Sequence, residues 1–302
     1  MKLVRIATTY WTAGRLSPAQ NLKHACEMAD QAALDKADIL CLPELFSAEP
    51  SWKKPEPVPG PTTRALAAKA RKHKMYIVCP VLQKDGDKVF NSAALLDRRG
   101  RVAGIYHKHV PTIGELELGI SPGGDVPVFQ ADFGKVGIAI CFDLNFMDIA
   151  ERLRQQGVQV IFWPSAFEGG ALLNQWARHC RAYVASSTHG ENARILDVTG
   201  SVLAEGRWQF PLVTAEVNFD RGVYHWDYTH PIVPAIRKKH GPAVKVECYT
   251  PEGYIVLTSL KPGLSLADLE RQFKLERVDD YLARARAIRD RAAPAPKMPL
   301  GQ

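Results

Sequence analysis

Hydrophobic residues follow two alternating patterns along the chain. Some segments, such as residues 2–10 and 37–43, are alternating or continuous hydrophobic runs, which are typical of β-strands with one or both faces buried. Others, such as residues 18–35, place hydrophobic side chains every three or four positions, which is typical of an amphipathic helix. The repeated alternation of strand and helix predicts an α/β fold in which helices form layers on a sheet.

The remaining elements up to residue 217 follow from the same patterns. Strands are predicted at 75–82, 90–97, 102–107, 136–141, 158–163, 182–187, 193–197, 201–204 and 212–217, and helices at 62–73, 146–156 and 171–180. The strands on either side of Asp97-Arg-Arg-Gly100 predict a hairpin. Because a hairpin pairs its strands antiparallel, the expected sheet is mixed rather than purely parallel.

The alternation ends near residue 220. Residues 265–289 have the spacing of one or two amphipathic helices, and the proline-rich tail at 292–302 cannot hold a helix. No linker separates these parts. We therefore expect one domain over residues 1–264 and a C-terminal extension, made of helix and tail, over residues 265–302.

Composition narrows the class of protein. The chain has 302 residues, of which 46% are hydrophobic and 24% charged, as in globular proteins. Its hydrophobic runs fall short of the roughly 20 residues that span a membrane, and it begins without a signal peptide, so we expect a cytoplasmic protein with no membrane partner. The net charge of +7 is spread out and accompanies no nucleic-acid motif. We expect no nucleic-acid partner and interpret the excess as surface charge, which can favour anionic substrates by long-range attraction.

Three predicted strands end at residues with catalytic chemistry: Glu44, Lys108 and Cys141. Ligands of α/β sheets bind beyond the carboxyl ends of the strands, so these side chains are expected at one site. Taken alone, each has an ordinary structural explanation, such as a buried thiol or a surface ion pair. Taken together, a carboxylate, an ammonium and a thiol predict an active site.

These three groups suit covalent catalysis. Cys141 precedes a predicted helix, where backbone N–H groups favour a thiolate nucleophile. Partial burial would raise the pKa of Glu44 and suit it to work as a general base, and Lys108 can stabilise a developing oxyanion. The flanking His107 and His109 have no Cys or Asp partner nearby in the sequence, so no metal site is expected.

The motifs around these residues resemble those of the nitrilase superfamily of carbon–nitrogen hydrolases, which carry a Glu-Lys-Cys triad in this order. The resemblance is clearest over residues 2–217. It rests on Leu42-Pro-Glu44, Phe90-Asn-Ser-Ala-Ala-Leu-Leu-Asp97, Gly100-Arg-Val-Ala-Gly-Ile-Tyr-His-Lys108, Gly137-Ile-Ala-Ile-Cys141-Phe-Asp143 and Ile161-Phe-Trp163-Pro-Ser-Ala166. It implies an α-β-β-α sandwich with mixed central sheets, dimerising into a four-layer assembly, and therefore a homodimer or a higher even homo-oligomer.

The resemblance also implies roles for individual residues. Cys141 is the nucleophile, Glu44 takes its proton, and Lys108 stabilises the tetrahedral intermediate together with the backbone N–H of Phe142. A second glutamate follows the lysine in the family, and its Pro-Thr-x-x-Glu spacing favours Glu115. Glu117 is the other candidate for this glutamate, and Asn145 and Trp163 are candidates for contact with the substrate. Hydrolysis of this kind requires no metal and no organic cofactor.

The implied reaction is hydrolysis of a non-peptide carbon–nitrogen bond in a small amide or carbamoyl compound through a cysteine thioester. Asn145 stands where many relatives have an arginine that holds a carboxylate, which counts against a carbamoyl amino acid as the substrate. Three alternatives stay open: nitrile hydrolysis by the same triad, a binding or scaffold protein without turnover, and a thiol enzyme that pairs Cys141 with His179 or His189.

Overall fold

The computed structural model describes residues 1–49, 51–190, 192–206 and 210–292. The chain divides into two compact units, one formed by Leu3–Phe219 and the other by Met1–Lys2 with the residues from Asp220 onwards. The expected boundary after residue 264 falls inside the smaller unit, and the division into residues 1–264 and 265–302 stays a prediction. Residues 293–302 of the expected tail lie outside the described residues.

The larger unit contains the alternating elements that the sequence predicts and two short ones that it does not. In chain order they are β1 (Leu3–Thr9), α1 (Pro18–Leu34), β2 (Ile39–Cys41), α2 (Pro61–His73), β3 (Tyr76–Asp85), β4 (Lys88–Leu96), β5 (Val102–His107), α3 (Ile113–Glu117), β6 (Val128–Ala131), β7 (Gly134–Ile138), α4 (Met147–Gln155), β8 (Val160–Ser165), α5 (Ala171–Cys180), β9 (Tyr183–Thr188), β10 (Arg194–Leu196), β11 (Val202–Glu205) and β12 (Leu212–Asn218). Each predicted strand and helix up to residue 217 has a counterpart here.

The strands form two six-stranded sheets, a first sheet with the order β12-β1-β2-β3-β4-β5 and a second with the order β11-β10-β9-β8-β7-β6. Both sheets are mixed, because parallel pairs such as β1–β2 and β7–β8 lie beside antiparallel pairs such as β4–β5 and β6–β7. The predicted hairpin is the antiparallel pair β4–β5. The mixed-sheet prediction is therefore confirmed.

The two sheets pack face to face, with helices on their outer faces. The sheets meet at β1 and β9, where Thr8 Oγ1 donates to Ser186 O at 2.6 Å and Ser187 Oγ donates to Thr9 O at 2.7 Å. Helices α1 and α2 bury apolar side chains with the first sheet, while α4 and α5 present buried apolar stripes and α5 contacts β9. This is the expected α-β-β-α sandwich, and its dimerisation into four layers stays a prediction.

The predicted strand at 136–141 ends early, at Ile138, and Cys141 begins a short 3-10 helix, Cys141–Asn145. Cys141 has a φ of +48°, a left-handed conformation that a β-strand cannot contain. The five-residue helix α3 and the four-residue strand β6 were not predicted, because both are too short to show a hydrophobic period.

The smaller unit has its own core. Its elements are β13 (Arg221–His225), α6 (Trp226–Thr229), α7 (Val233–His240), β14 (Val244–Tyr249), β15 (Tyr254–Ser259), α8 (Leu266–Phe273) and α9 (Val278–Ala292). The antiparallel sheet β13-β15-β14 packs against apolar residues of α7 and α8. The two helices α8 and α9 account for the predicted helical segment at 265–289. Among the described residues, no helix is long and apolar enough to cross a membrane.

Candidate active site

The expected catalytic residues line one cavity in the larger unit. Glu44 lies just beyond β2, Lys108 directly follows β5, and Cys141 lies three residues beyond β7. Together with Glu115 of α3 they line a cavity of about 390 Å³. The first sheet thus supplies the carboxylate and the ammonium, and the second supplies the thiol.

Lys108 forms ion pairs with both glutamates. Its Nζ lies 3.0 Å from Oε1 of Glu44 and 2.7 Å from Oε2 of Glu115, and its side chain is only 1% exposed. Burial lowers the pKa of Lys108, but attraction to Glu44, to Cys141 and to Glu115 outweighs burial and raises the pKa above its usual value. The side chain is therefore a fixed ammonium at neutral pH.

Backbone hydrogen bonds hold the Lys108 peptide on both sides. Its N–H donates to Asn91 O at 2.8 Å, and its carbonyl oxygen accepts from Gly123 N–H at 2.8 Å. A Cβ atom at residue 123 would collide with the carbonyl oxygen of His107, so this close approach requires glycine.

Asn91 joins the two glutamates and was missed as a site residue. This fully buried side chain, on β4, donates from Nδ2 to Oε1 of Glu44 and to Oε1 of Glu115, both at 2.7 Å. Its signal in the sequence is the polar pair Asn91-Ser92 inside an otherwise apolar strand, because buried polar side chains need partners. Asn91 therefore fixes the two carboxylates around the ammonium.

The structure separates the two candidates for the second glutamate. Glu115 is buried, and its Oε2 also accepts from Thr112 N–H at 2.7 Å, so it caps α3 while it binds Lys108. Burial raises the pKa of Glu115, but Lys108 and the hydrogen bonds from Lys108, Asn91 and Thr112 outweigh burial and hold the pKa below its usual value. Glu117 is exposed and lies outside the cavity lining, so its assignment to the site is not supported.

The thiol of Cys141 is protonated at neutral pH. Burial raises its pKa to about 12 and the charge of Glu44 adds to this effect, while Lys108 and hydrogen bonds from Ala166 N–H and Ser165 oppose it. Glu44 has an acceptor free for the proton: among the described residues, its buried Oε2 has no hydrogen-bond partner. A base beside a protonated thiol is the arrangement that activates a cysteine nucleophile.

Asp143 holds the turn that carries Cys141, and it was missed as a separate site residue although it lies in a quoted motif. Its Oδ2 accepts from Tyr106 OH at 2.7 Å and from Ile140 N–H at 2.8 Å, and its Oδ1 accepts from Val110 N–H at 2.8 Å. Burial raises the pKa of Asp143 to about 6, although these hydrogen bonds lower it. The carboxylate thus connects the end of β5 and the segment after Lys108 to the cysteine turn.

Trp163 and Asn145 lie near the cysteine but outside the cavity lining. Trp163 is fully buried, and its Nε1 donates to Cys141 O at 3.0 Å, so it supports the cysteine turn. Asn145 is exposed, and its Nδ2 donates to Phe142 O at 3.0 Å. The structure therefore places neither side chain as a substrate contact. Phe142, whose N–H is expected to bind the oxyanion, directly follows Cys141 in the short 3-10 helix.

Only one of the two histidines considered as partners of the thiol lines the cavity. His189 is part of the lining, and its Nε2 is hydrogen-bonded to the backbone carbonyl oxygen of Glu44. His179 instead lies 3.0 Å from Oε2 of Glu151. Among the described residues, no group of three or more His, Cys, Asp or Glu side chains is arranged to hold a metal ion.

Comparison with known proteins gives the family. Residues 5–223 match the model of the carbon-nitrogen hydrolase family. The omega-amidase NIT2 of Bos taurus is 27% identical over 234 residues, which cover 67% of this chain and 84% of that protein. The beta-ureidopropionase of Arabidopsis thaliana is 28% identical over 268 residues, which cover 81% of this chain and 60% of that protein.

Solved structures share the fold. A mutant of the amidase from Nesterenkonia sp. AN1, with the acetamide moiety of fluoroacetamide covalently added at its active-site cysteine, has a TM-score of 0.64 at 21% identity and covers 72% of this chain and 90% of its own. Nit3 of Saccharomyces cerevisiae has a TM-score of 0.63 at 19% identity and covers 80% of this chain and 95% of its own. The chain thus belongs to the carbon–nitrogen hydrolase family within the nitrilase superfamily and is a hydrolase of carbon–nitrogen bonds other than peptide bonds.

Proposed function

We propose that this enzyme hydrolyses a small amide or carbamoyl compound through a thioester on Cys141. One observation carries the proposal: a base, an ammonium and a protonated thiol line the same small cavity, and the base has a free acceptor atom. The names of the amidase relatives agree with an amide substrate.

The first half-reaction forms the acyl-enzyme. Glu44 Oε2 takes the thiol proton as Sγ of Cys141 attacks the amide carbon, because a thiol with a pKa of about 12 is a poor nucleophile without a base. The Lys108 ammonium and the Phe142 N–H stabilise the oxyanion of the tetrahedral intermediate. Glu44 then returns the proton to the leaving nitrogen, ammonia or an amine departs, and a thioester forms.

The second half-reaction releases the acid. Glu44, now ionised again, takes a proton from water as the water oxygen attacks the thioester carbon. The Cys141 sulfur leaves and recovers its proton, and a carboxylic acid is released. Asn91 and Glu115 keep Glu44 and Lys108 in place during both steps. The buried amide of Asn91 donates to both glutamates, and the buried carboxylate of Glu115 accepts from Lys108. No metal or organic cofactor takes part in this proposal.

Release of ammonia from a panel of aliphatic and aromatic amides, dicarboxylic acid monoamides, N-carbamoyl compounds and nitriles tests the proposal, with an amine assay for N-substituted amides. We expect turnover by the wild type and none by Cys141→Ala. Cys248→Ala is the matched control, because this thiol is exposed and lies in the smaller unit. Mass spectrometry of rapidly quenched reactions should show the acyl mass on the wild type.

The alternatives give different results. Undiminished turnover by Lys108→Ala would favour a Cys141–His189 pair, since that mechanism does not use the ammonium. Turnover of nitriles and not of amides would move the reaction to the nitrile branch, and silence over the whole panel would favour a binding protein. The cytoplasmic location, the absence of nucleic-acid partners and assembly as a homodimer or higher even homo-oligomer stay predictions.

A further inference from the structure

Apart from the reacting groups, Thr112 and His189, the side chains that line the active-site cavity are apolar. Besides Ala166 they come from two segments: Ala13, Gly14 and Leu16 in the first segment, and Leu45, Phe46, Ala48 and Trp52 in the second. The first segment follows β1, and the second follows Glu44. A substrate whose carboxamide reaches Cys141 therefore places its acyl group against carbon.

Buried hydrogen bonds hold the first segment in place. Asn21 of α1 is 2% exposed, and its Nδ2 donates to Ala13 O at 2.9 Å and to Leu16 O at 3.3 Å. Its Oδ1 accepts from Trp11 Nε1 at 3.0 Å. Because a buried amide with all these partners is costly to displace, this wall is formed before a ligand arrives.

Apolar packing holds the second segment. Leu45 is buried in a cluster with Leu82 and Ile120, and Ala48 and Trp52 pack against that cluster. Phe46 is fully buried. A pre-formed apolar wall favours apolar ligand groups, since they leave water without losing hydrogen bonds.

The cavity offers no free cation to a carboxylate on the substrate: among the described residues that line it, Lys108 is the one Lys or Arg. Glu44 and Glu115 contribute two formal negative charges and Lys108 one positive charge, while the Cys141 thiol is protonated. The ammonium already bonds both carboxylates, at 3.0 and 2.7 Å, so it is not available to pair with a substrate anion. An anion placed here would lose its water and find no free ammonium or guanidinium among the lining residues to pair with.

We propose that the cavity selects uncharged amides with an aliphatic or aromatic acyl group over amides that carry a carboxylate. The selection lies in the apolar side chains of Ala13, Leu16, Leu45, Phe46, Ala48 and Trp52 and in the lack of a free Lys or Arg among the described residues that line the cavity. It acts inside the cavity and is separate from any long-range attraction of anions by the basic surface. This inference rests on the proposed amide hydrolysis.

Two substrates of matched shape test it: 4-methylpentanamide and succinamate, in which a carboxylate replaces the isopropyl group. We expect kcat/KM of the wild type to be about 100-fold higher for 4-methylpentanamide, because the buried anion is left without a partner. A preference for succinamate would overturn the inference and leave amide hydrolysis intact. Turnover of neither these two amides nor any of the wider panel would overturn the proposed function, and the inference would fall with it.

A variant of the wall gives a second readout. Leu16 lines the cavity and is 40% exposed, so it can accept a long polar side chain. Leu16→Arg should raise kcat/KM for succinamate relative to 4-methylpentanamide by about tenfold, since it supplies the missing cation. Leu16→Gln, which has similar polarity without the charge, should leave the ratio nearer the wild-type value. An equal change in both variants would contradict the electrostatic part of the argument.

Discussion

Replacing Lys108 with methionine isolates the contribution of its charge to stability. Methionine keeps the apolar stem in its buried position and removes the ammonium from between Glu44 and Glu115. Two buried carboxylates then face each other across the Asn91 amide. Because like charges at this separation cannot both remain ionised at low cost, the variant should bind a proton on folding.

The protonation equilibrium sets the size of the effect. Protonating a carboxyl with the ordinary pKa of 4.5 at pH 7 costs about 3 kcal/mol, since each pH unit is worth about 1.4 kcal/mol. Because the variant can take up this proton, the repulsion between the two carboxylates costs no more than the protonation. We therefore expect Lys108→Met to lose about 3 kcal/mol of unfolding free energy at pH 7. That value agrees with the roughly 3–5 kcal/mol measured when one partner of a buried ion pair is removed.

The sign of the pH dependence follows from the direction of each pKa. In the wild type, Glu115 has a lowered pKa, so its contribution is present above pH 4.5 and is lost as the pH falls through the lowered value. In Lys108→Met one carboxyl has a raised pKa, so the variant loses stability as the pH rises above 4.5. The deficit should therefore shrink from about 3 kcal/mol at pH 7 to about 1 kcal/mol at pH 5.

Urea unfolding followed by tryptophan fluorescence at pH 5, 6 and 7 measures this deficit. Lys108→Met/Glu115→Gln is the matched control, because it removes one of the two opposed charges. The double variant should recover more than about 1 kcal/mol at pH 7 and lose most of the pH dependence. A deficit that does not vary between pH 5 and pH 7 would refute the assignment of Lys108 as the neutralising charge of this cluster.

Three further predictions concern turnover. Asn91→Leu should lower kcat by more than about tenfold in steady-state assays, because both carboxylates lose a donor, whereas Ser92→Ala on the same strand should change it little. The kcat/KM of the wild type should fall as the pH drops through about 6, because protonated Asp143 accepts fewer hydrogen bonds. Asp143→Asn should lose this fall in kcat/KM. A pH profile that is the same in the variant and the wild type would contradict the role of Asp143 in holding the cysteine turn. Trp163→Phe should lower kcat about tenfold with KM nearly unchanged, because it frees the Cys141 carbonyl oxygen and leaves the cavity lining intact.

The sequence identifies the residues whose signal is local. Glu44, Lys108 and Cys141 each stand at the end of an apolar run, and the structure brings all three to one cavity. Asn91 and Asp143 carry equally specific contacts, but their partners are 47 and 37 residues away in the chain. No spacing rule reveals such pairs, because they exist only once the strands have paired and the sheets have packed.

The limits of the sequence also show in the fold. The period of two or of 3.6 residues predicted the elements up to residue 217 except the short α3 and β6. The three strands from Arg221 to Ser259 were also missed, because their exposed and buried positions do not alternate regularly. Strand β7 ends three residues earlier than predicted, because Cys141 has a left-handed φ and begins a turn instead of continuing the strand. That turn is a tertiary feature held by Asp143 and Trp163.

The proposed reacting groups come from opposite sheets, so a cut in the chain between the two sheets would separate them. A chain cut within residues 121–127 would leave the carboxylates and the ammonium on one fragment and the thiol on the other, so neither piece alone could turn over substrate. Strand β12, from the second fragment, pairs with β1 of the first along its whole length. This pairing gives the two fragments an interface through which they can reassociate. Recovery of hydrolysis on mixing would then report reunion of the two pieces, which makes this fold a candidate for a split-enzyme sensor.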